Sequence, residues 1–162
     1  MDANDKQYAE AVLRHLFVGT QIYGIGFGPV LQIVFTDIDT SQKPVVQGQR
    51  YIHLSSNWKV YESRPLSFPD HEEDLPELSE EEQIRLICSL RKRQVVKVEL
   101  GASQPHIILT FADGTVFFLN GRHEMYECWV AGVSCGKPNE LWMIVACPGG
   151  GVAIWTPDSF VA

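Results

Sequence analysis

The stretch VFFLNGRHEMYECW (residues 116–129) has a counterpart in YIHLSSNWKVYESR (residues 51–64), and this repetition governs the predicted fold. In both places a helical pattern and two strand-like runs come first. The shared order predicts an internal duplication of residues 4–64 and 79–131, although two unrelated β-meanders would also share alternation and turn residues. At an offset of 65 residues, the identical pairs are Leu54/Leu119, Tyr61/Tyr126 and Glu62/Glu127.

Two segments carry helix signals. Residues 4–17 place apolar side chains at i, i+4 spacing, and Gly19 is a suitable stop after them. Residues 79–82 form a capping box, in which the Ser79 hydroxyl accepts from the Glu82 amide and the Glu82 carboxylate accepts from the Ser79 amide. The inward positions predicted for this second helix are Ile84, Ile87 and Leu90.

Turn residues divide the rest of the chain into strands. A hairpin is predicted at Gly28 and Pro29, and another at Asp113 and Gly114. Asn120 and Gly121 predict a third hairpin, which leads into a strand over residues 123–131. The PGGG turn predicts a C-terminal hairpin over residues 141–157.

These elements predict one domain over residues 1–162 in the α+β class, dominated by β-structure. Neither of two duplicated halves of this size is expected to close its own core. We therefore expect two similar helix-plus-antiparallel-meander halves, with sheets of about four strands each, packed as one sandwich or barrel-like domain. The helices are expected to cover a face or an end.

The charge of the chain is concentrated in one place. Of the 20 acidic residues, eight lie between Asp70 and Glu82 with no Lys or Arg among them, so the other residues, 12 acids and 13 bases, are nearly neutral. The segment overlaps a connector, residues 65–78, that contains three prolines and is predicted to be irregular. It is either a solvated loop with favourable charge at a helix N-terminus, or an acidic docking surface.

Composition also speaks against several function classes. A net charge of −7 argues against nucleic-acid binding, and no run approaches the roughly 20 apolar residues of a membrane span. The N-terminus lacks the order of a signal peptide, which predicts a cytoplasmic protein. No catalytic residue, metal site or cofactor is predicted, and the oligomeric state is monomer or homodimer. The cysteines lack CxxC spacing and are predicted as reduced core thiols: Cys88, Cys128, Cys135 and Cys147.

One alternative places a small-molecule or enzymatic site between the two halves. If residues 58–63 and 123–128 are strands, Glu62 and Glu127 each share a face with apolar neighbours. A pseudo-twofold axis could bring them together as a carboxylate pair with one raised pKa, although each could instead pair with Arg64 or Arg122. The residues of this alternative pocket are Glu62, His123, Glu127 and Trp129.

The segments GRHEMYECW and IVACPGGGVAIW, about a quarter of the chain, resemble small acidic bacterial immunity proteins and uncharacterised domains of polymorphic toxin systems. The resemblance implies a non-enzymatic protein that neutralises a toxin, often by covering a basic site with acids. The leading hypothesis is therefore binding of a basic protein through the acidic segment. The predicted partner-binding residues are Glu72, Glu73, Asp74, Glu77, Glu80 and Glu81.

Overall fold

The computed structural model describes residues 1–39, 46–134 and 140–161. Neither helix in these ranges is long and apolar enough to cross a membrane. The elements are α1 (Ala3–Phe17), β1 (Thr20–Gly26), β2 (Leu31–Asp37), β3 (Gln49–Leu54), β4 (Trp58–Tyr61), a 3₁₀ turn (Glu72–Asp74), α2 (Glu80–Ser89), β5 (Val95–Leu100), β6 (Ile107–Phe111), β7 (Val116–Leu119), β8 (Trp129–Ser134), β9 (Trp142–Cys147) and β10 (Gly151–Trp155).

The strands form two antiparallel sheets. One has six strands in the order β1-β2-β3-β8-β9-β10, and the other has four in the order β4-β7-β6-β5. This confirms the predicted α+β, β-dominated class, with two open sheets rather than a closed barrel. The hairpins predicted at Gly28, at Gly114 and over residues 141–157 are present as β1–β2, β6–β7 and β9–β10.

Strands β1–β3 and β5–β7 each form a three-stranded meander, and the strand that follows each meander in the chain belongs to the other sheet. β4 follows β3 in the chain but pairs with β7, and β8 follows β7 but pairs with β3. At these crossings Leu54 lies opposite Trp129, and Trp58 lies opposite Leu119. The order of helix, meander and exchanged strand thus occurs twice, while common ancestry of the two halves stays a prediction.

The two crossings differ in length, and the longer one lies where the sequence predicts the fourth strand of the second half. Residues 55–57 make the first crossing, whereas residues 120–128 make the second, and no strand occurs in either. The hairpin predicted at Asn120 and the strand predicted over 123–128 are therefore wrong; only Trp129 and the residues after it are β-structure. By topology Trp58 corresponds to Trp129, so the gapless alignment does not hold beyond Leu119.

Both helices form as their local signals predict. Asp2 caps α1 by accepting from the amide of Asn4 at 2.8 Å, and the chain turns at Gly19, whose φ is +85°. The Ser79 capping box is present at the start of α2. Helix α1 packs beside β5 and β10, and α2 packs beside β1. The helices thus cover edges of the sheets.

The main core contains apolar residues of both sheets and both helices. Trp58 and Trp129 lie in it, and the rings of Trp58 and Phe117 are 5.2 Å apart. Of the cysteines, Cys128 is buried and Cys147 is half-buried. Cys88 is exposed, so its placement in the core was wrong, while Cys135 lies outside the described residues.

A second apolar cluster lies on the outer face of the four-stranded sheet. Ile108, Val116 and Phe118 point away from the main core there, and the connector covers them with Leu75 and Phe68. The rings of Phe68 and Phe118 stack with their centroids 5.0 Å apart. The acidic connector is therefore irregular, as predicted, but it is packed onto the sheet rather than free in solvent.

Substitution of Gly132 tests how closely β8 and β9 pack in the six-stranded sheet. A Cβ at this position would lie 2.2 Å from the carbonyl oxygen of Trp142, so backbone must shift to accept it. We expect Gly132→Ala to lower the free energy of unfolding in urea by about 1–3 kcal/mol.

Gly24 is the matched control, because it lies in β1 of the same sheet and an added Cβ would meet nothing within 4 Å. We expect Gly24→Ala to change stability by no more than about 0.5 kcal/mol. Equal urea midpoints for the two variants would contradict this account of the sheet.

Candidate functional site

An open cavity of about 600 Å³ lies where the acidic connector passes the first crossing between the sheets. We call it the acidic cleft. Its lining comes from the first crossing, the connector, the start of α2 and the loop that makes the second crossing. The residues are 54–58, Glu72, Glu73, 75–78, Gln83 and Tyr126.

Glu72 ties the connector to both crossings. One carboxylate oxygen accepts from the backbone amide of Asn57 at 2.8 Å, and the other accepts from the Tyr126 hydroxyl. Partial burial and this hydrogen bond to Glu72 raise the pKa of Tyr126, so its hydroxyl remains a donor at neutral pH. Glu72 therefore shapes the cleft and has little free capacity to bind a partner.

Gln83 fixes the opposite wall. Its side-chain oxygen accepts from the indole N–H of Trp58 at 3.3 Å, and its amide nitrogen donates to the carbonyl of Leu78 at 3.0 Å. The first turn of α2 is thereby attached to the core strand β4 and to the end of the connector. Since these partners are held by packing and by the capping box, the cleft is preformed.

The remaining acids of the predicted patch differ in their surroundings. Glu81 pairs with Arg85 at 2.9 Å, one turn along α2, and both side chains are exposed. Glu73 and Glu77 line the acidic cleft. Four exposed carboxylates form no ion pair within the ranges that the structure describes: Glu73, Asp74, Glu77 and Glu80.

The residues of the alternative pocket have different environments. Trp129 is fully buried, and its indole N–H donates to the carbonyl of Pro105 at 2.7 Å. His123 stacks on Tyr126, with ring centroids 3.6 Å apart, at the edge of a smaller cavity of about 180 Å³. Glu62 and Glu127 are both exposed, one just beyond β4 and the other in the second crossing.

Two arguments for that pocket need correction. Because residues 62 and 123–128 are not in strands, alternation does not place Glu62 or Glu127 on an apolar face. The expected local bases are also engaged elsewhere: Arg64 pairs with Glu99 at 2.6 Å, and Arg122 lies 3.9 Å from Glu124.

Sequence reasoning found the acids but missed the residues that position them. Asn57, Gln83 and Tyr126 contribute to the cleft through contacts between segments far apart in the chain. Tyr126 had one signal, since it is an identity of the repeated stretch. The predicted strand over residues 123–131 includes Tyr126, whereas in the structure Tyr126 holds a loop against the connector.

Removing the Tyr126 hydroxyl should loosen the cleft. Tyr126→Phe deletes a hydrogen bond to a carboxylate at a partly exposed position, so we expect the free energy of unfolding in urea at pH 7 to fall by about 1 kcal/mol. Tyr23→Phe is the control, since Tyr23 is 62% exposed on β1, and it should leave stability unchanged.

Tyr126→Phe should also change how the free energy of unfolding depends on pH in alkaline solution. The folded-state pKa of Tyr126 is raised above the ordinary value of 10.0, so its contribution is present below pH 10 and is lost as the pH rises through the folded-state pKa. We expect wild type to lose its advantage over Tyr126→Phe above pH 10. A constant difference between pH 7 and the alkaline limit of folding would contradict this assignment.

The segments that carry the resemblance to immunity proteins lie in two parts of the fold. Residues 121–129 make most of the second crossing, beside the acidic cleft, and residues 144–155 make most of the β9–β10 hairpin. No family model matches the chain, and no curated protein or solved structure matches it either.

Proposed function

We propose that this chain is a non-enzymatic protein-binding domain that takes a basic partner at the acidic cleft. The observation that supports it best is the set of exposed carboxylates that have no base to pair with in the described ranges, beside a preformed cavity. Folded proteins ordinarily disperse such charge. Here repulsion among the acids is retained, and an external cation would relieve it.

The cleft suits a Lys or Arg side chain of the partner. The carboxylates of Glu73 and Glu77 can receive the cationic head, while the half-buried Leu78 offers apolar surface to its stem. Hydrogen bonds already satisfy Glu72 and Gln83, so they would keep the walls in place as the cation enters. Binding then needs little reorganisation of this chain.

Asp74 and Glu80 lie beside Glu73 and Glu77 in sequence and extend the negative surface. Their effect would be mainly on the rate of encounter, because exposed charges steer a partner over about a Debye length and lose this effect in salt. Neutralisation of a toxin is the form of binding that the sequence resemblance implies. That role, a bacterial source and a cytoplasmic location stay predictions.

The test is charge reversal at two acids that line the cleft and at the exposed acid between them in sequence: Glu73→Lys, Asp74→Lys and Glu77→Lys. Glu72 is left intact because it is structural, and Glu80 because it directly follows Ser79, whose capping box starts α2. A basic partner is captured from host lysate, purified, and titrated calorimetrically against each variant. We expect the dissociation constant of the triple variant to rise at least about tenfold at 0.05 M salt.

The matched control is Asp5→Lys, Glu62→Lys and Asp158→Lys, three exposed acids away from the acidic cleft that change the net charge equally. The control should retain most of the affinity. Wild-type binding should weaken between about 0.05 M and about 0.5 M salt, over which the Debye length falls roughly threefold. Equal loss of affinity in the two triple variants would overturn the proposed site.

A further inference from the structure

The outer face of the six-stranded sheet is turned away from the main core, because the strand neighbours of its residues, such as Ile33, Ile52 and Ile144, lie in that core. Two rows of residues cross all six strands on this face. The first row is Gly24, Val34, Tyr51, Gly132, Met143 and Trp155. The second row is Gly26, Gln32, His53, Val130, Val145 and Ala153. None of these residues belongs to either apolar cluster, and we call the surface that they form the open face.

The open face is uncharged and largely apolar. Neither row contains Asp, Glu, Lys or Arg, and burial lowers the pKa of His53, so most of its rings are neutral at pH 7. Trp155 is 43% exposed, and Tyr51, Val130 and Met143 are half-buried. The apolar residues of both helices belong to the main core instead, on the other side of the sheet. An apolar sheet surface that extends over six strands indicates an interaction surface.

The distribution of charge favours a second copy of this chain as the occupant. Two copies, each with a net charge of −7, repel one another. The acidic connector covers the outer face of the four-stranded sheet, on the opposite side of the main core from the open face. Repulsion is therefore smallest when two copies meet through their open faces, because this arrangement keeps the two connectors far apart.

The two edges of the open face also differ in a way that suits a twofold axis. An axis parallel to the strands, between β3 and β8 at the middle of the sheet, places β10 of one copy over β1 of the other. Trp155 on β10 then projects toward the Gly24 end of the first row. A Cβ added to Gly24 would meet nothing within 4 Å, so there is room for a large side chain from outside.

We propose that this chain forms a homodimer in which two open faces pack against each other about this axis. Six strands about 4.8 Å apart, each presenting about five residues at about 3.4 Å per residue, give the open face a flat area of roughly 500 Å². Two such faces bury on the order of 1,000 Å² together, which is the lower limit for a specific interface. We therefore expect a reversible dimer with a dissociation constant of about 1–100 µM.

Sedimentation equilibrium of the full chain measures the dissociation constant of the dimer, and tryptophan fluorescence reports which surface is buried. Trp155 is the most exposed of the four tryptophans, since the other three are at most 9% exposed. We expect the emission maximum to move to shorter wavelength as the protein concentration rises through the dissociation constant. The dimer should be as stable or more stable at about 0.5 M salt than at about 0.05 M, because salt screens the repulsion between two acidic chains.

Met143→Glu places a carboxylate on an interior strand of the open face, and burial of this charge in the dimer should raise the dissociation constant at least about tenfold. Val96→Glu is the matched control, because Val96 is a 46% exposed apolar residue on β5 of the other sheet, and it should dimerise as wild type does. Trp155→Ser introduces no charge at an exposed position, so it keeps the monomer folded and should also weaken the dimer. Circular dichroism checks that each variant is folded.

A monomer at about 500 µM, well above the expected dissociation constant, would overturn the proposal. Equal dimerisation of wild type, Met143→Glu and Trp155→Ser would also overturn it and would point to pairing through sheet edges. The result is independent of the acidic cleft. The Glu73, Asp74 and Glu77 charge-reversal variant should lose the basic protein and retain the dimer, so failure of one surface is distinguishable from failure of the other.

Discussion

The exchange of strands between the two sheets is the constraint on which the rest of the structure depends. Leu54 pairs with Trp129 and Leu119 pairs with Trp58, so each sheet includes a strand that the other meander sends across. Both tryptophans are then buried in one core. Aromatic side chains of this size contribute several kcal/mol each to such a core, which makes the two halves energetically inseparable.

The connector has two roles that its composition alone does not separate. Its apolar residues, Phe68 and Leu75, cover the outer face of the four-stranded sheet, and its acids remain at the surface beside the acidic cleft. Glu72 joins these roles because it bonds to both crossings. The unpaired charge is thus presented on a segment that packing holds in place, which reduces the entropy lost when a partner binds.

Caps and turns that depend on a few adjacent residues were predicted correctly from the sequence. The capping box of Ser79, the hairpin at Gly114 and the stop at Gly19 each rest on a few adjacent residues, and all three are present. Asn120 and Gly121 gave the same local signal as a hairpin, but the chain crosses to the other sheet there. Whether residues 120–128 form a hairpin or a crossing depends on pairing of β8 with the free edge of β3. Because β3 is distant in sequence, the residues around Asn120 carry no signal for this pairing.

The candidate site was likewise predictable only where it depends on local sequence. A run of acids is visible in the sequence, so the acidic surface was predictable. The cleft beside it was not, because Tyr126 and Gln83 meet their partners only after the sheets have exchanged strands. Likewise, the consecutive burial of Phe117 and Phe118 requires a cover on each face of β7, and the outer cover comes from Phe68 in the connector.

The exchange also has a consequence for synthesis on the ribosome. When residues 1–61 have emerged, β3 has an open edge and β4 has no sheet to join, because β7 and β8 are still to be made. The partner of β4 is complete once Leu119 has been made, whereas the edge of β3 remains unpaired until the chain has been extended to Ser134. We expect completion of the fold to be a late event with high contact order, in which the nascent N-terminal half is exposed to aggregation through those edges.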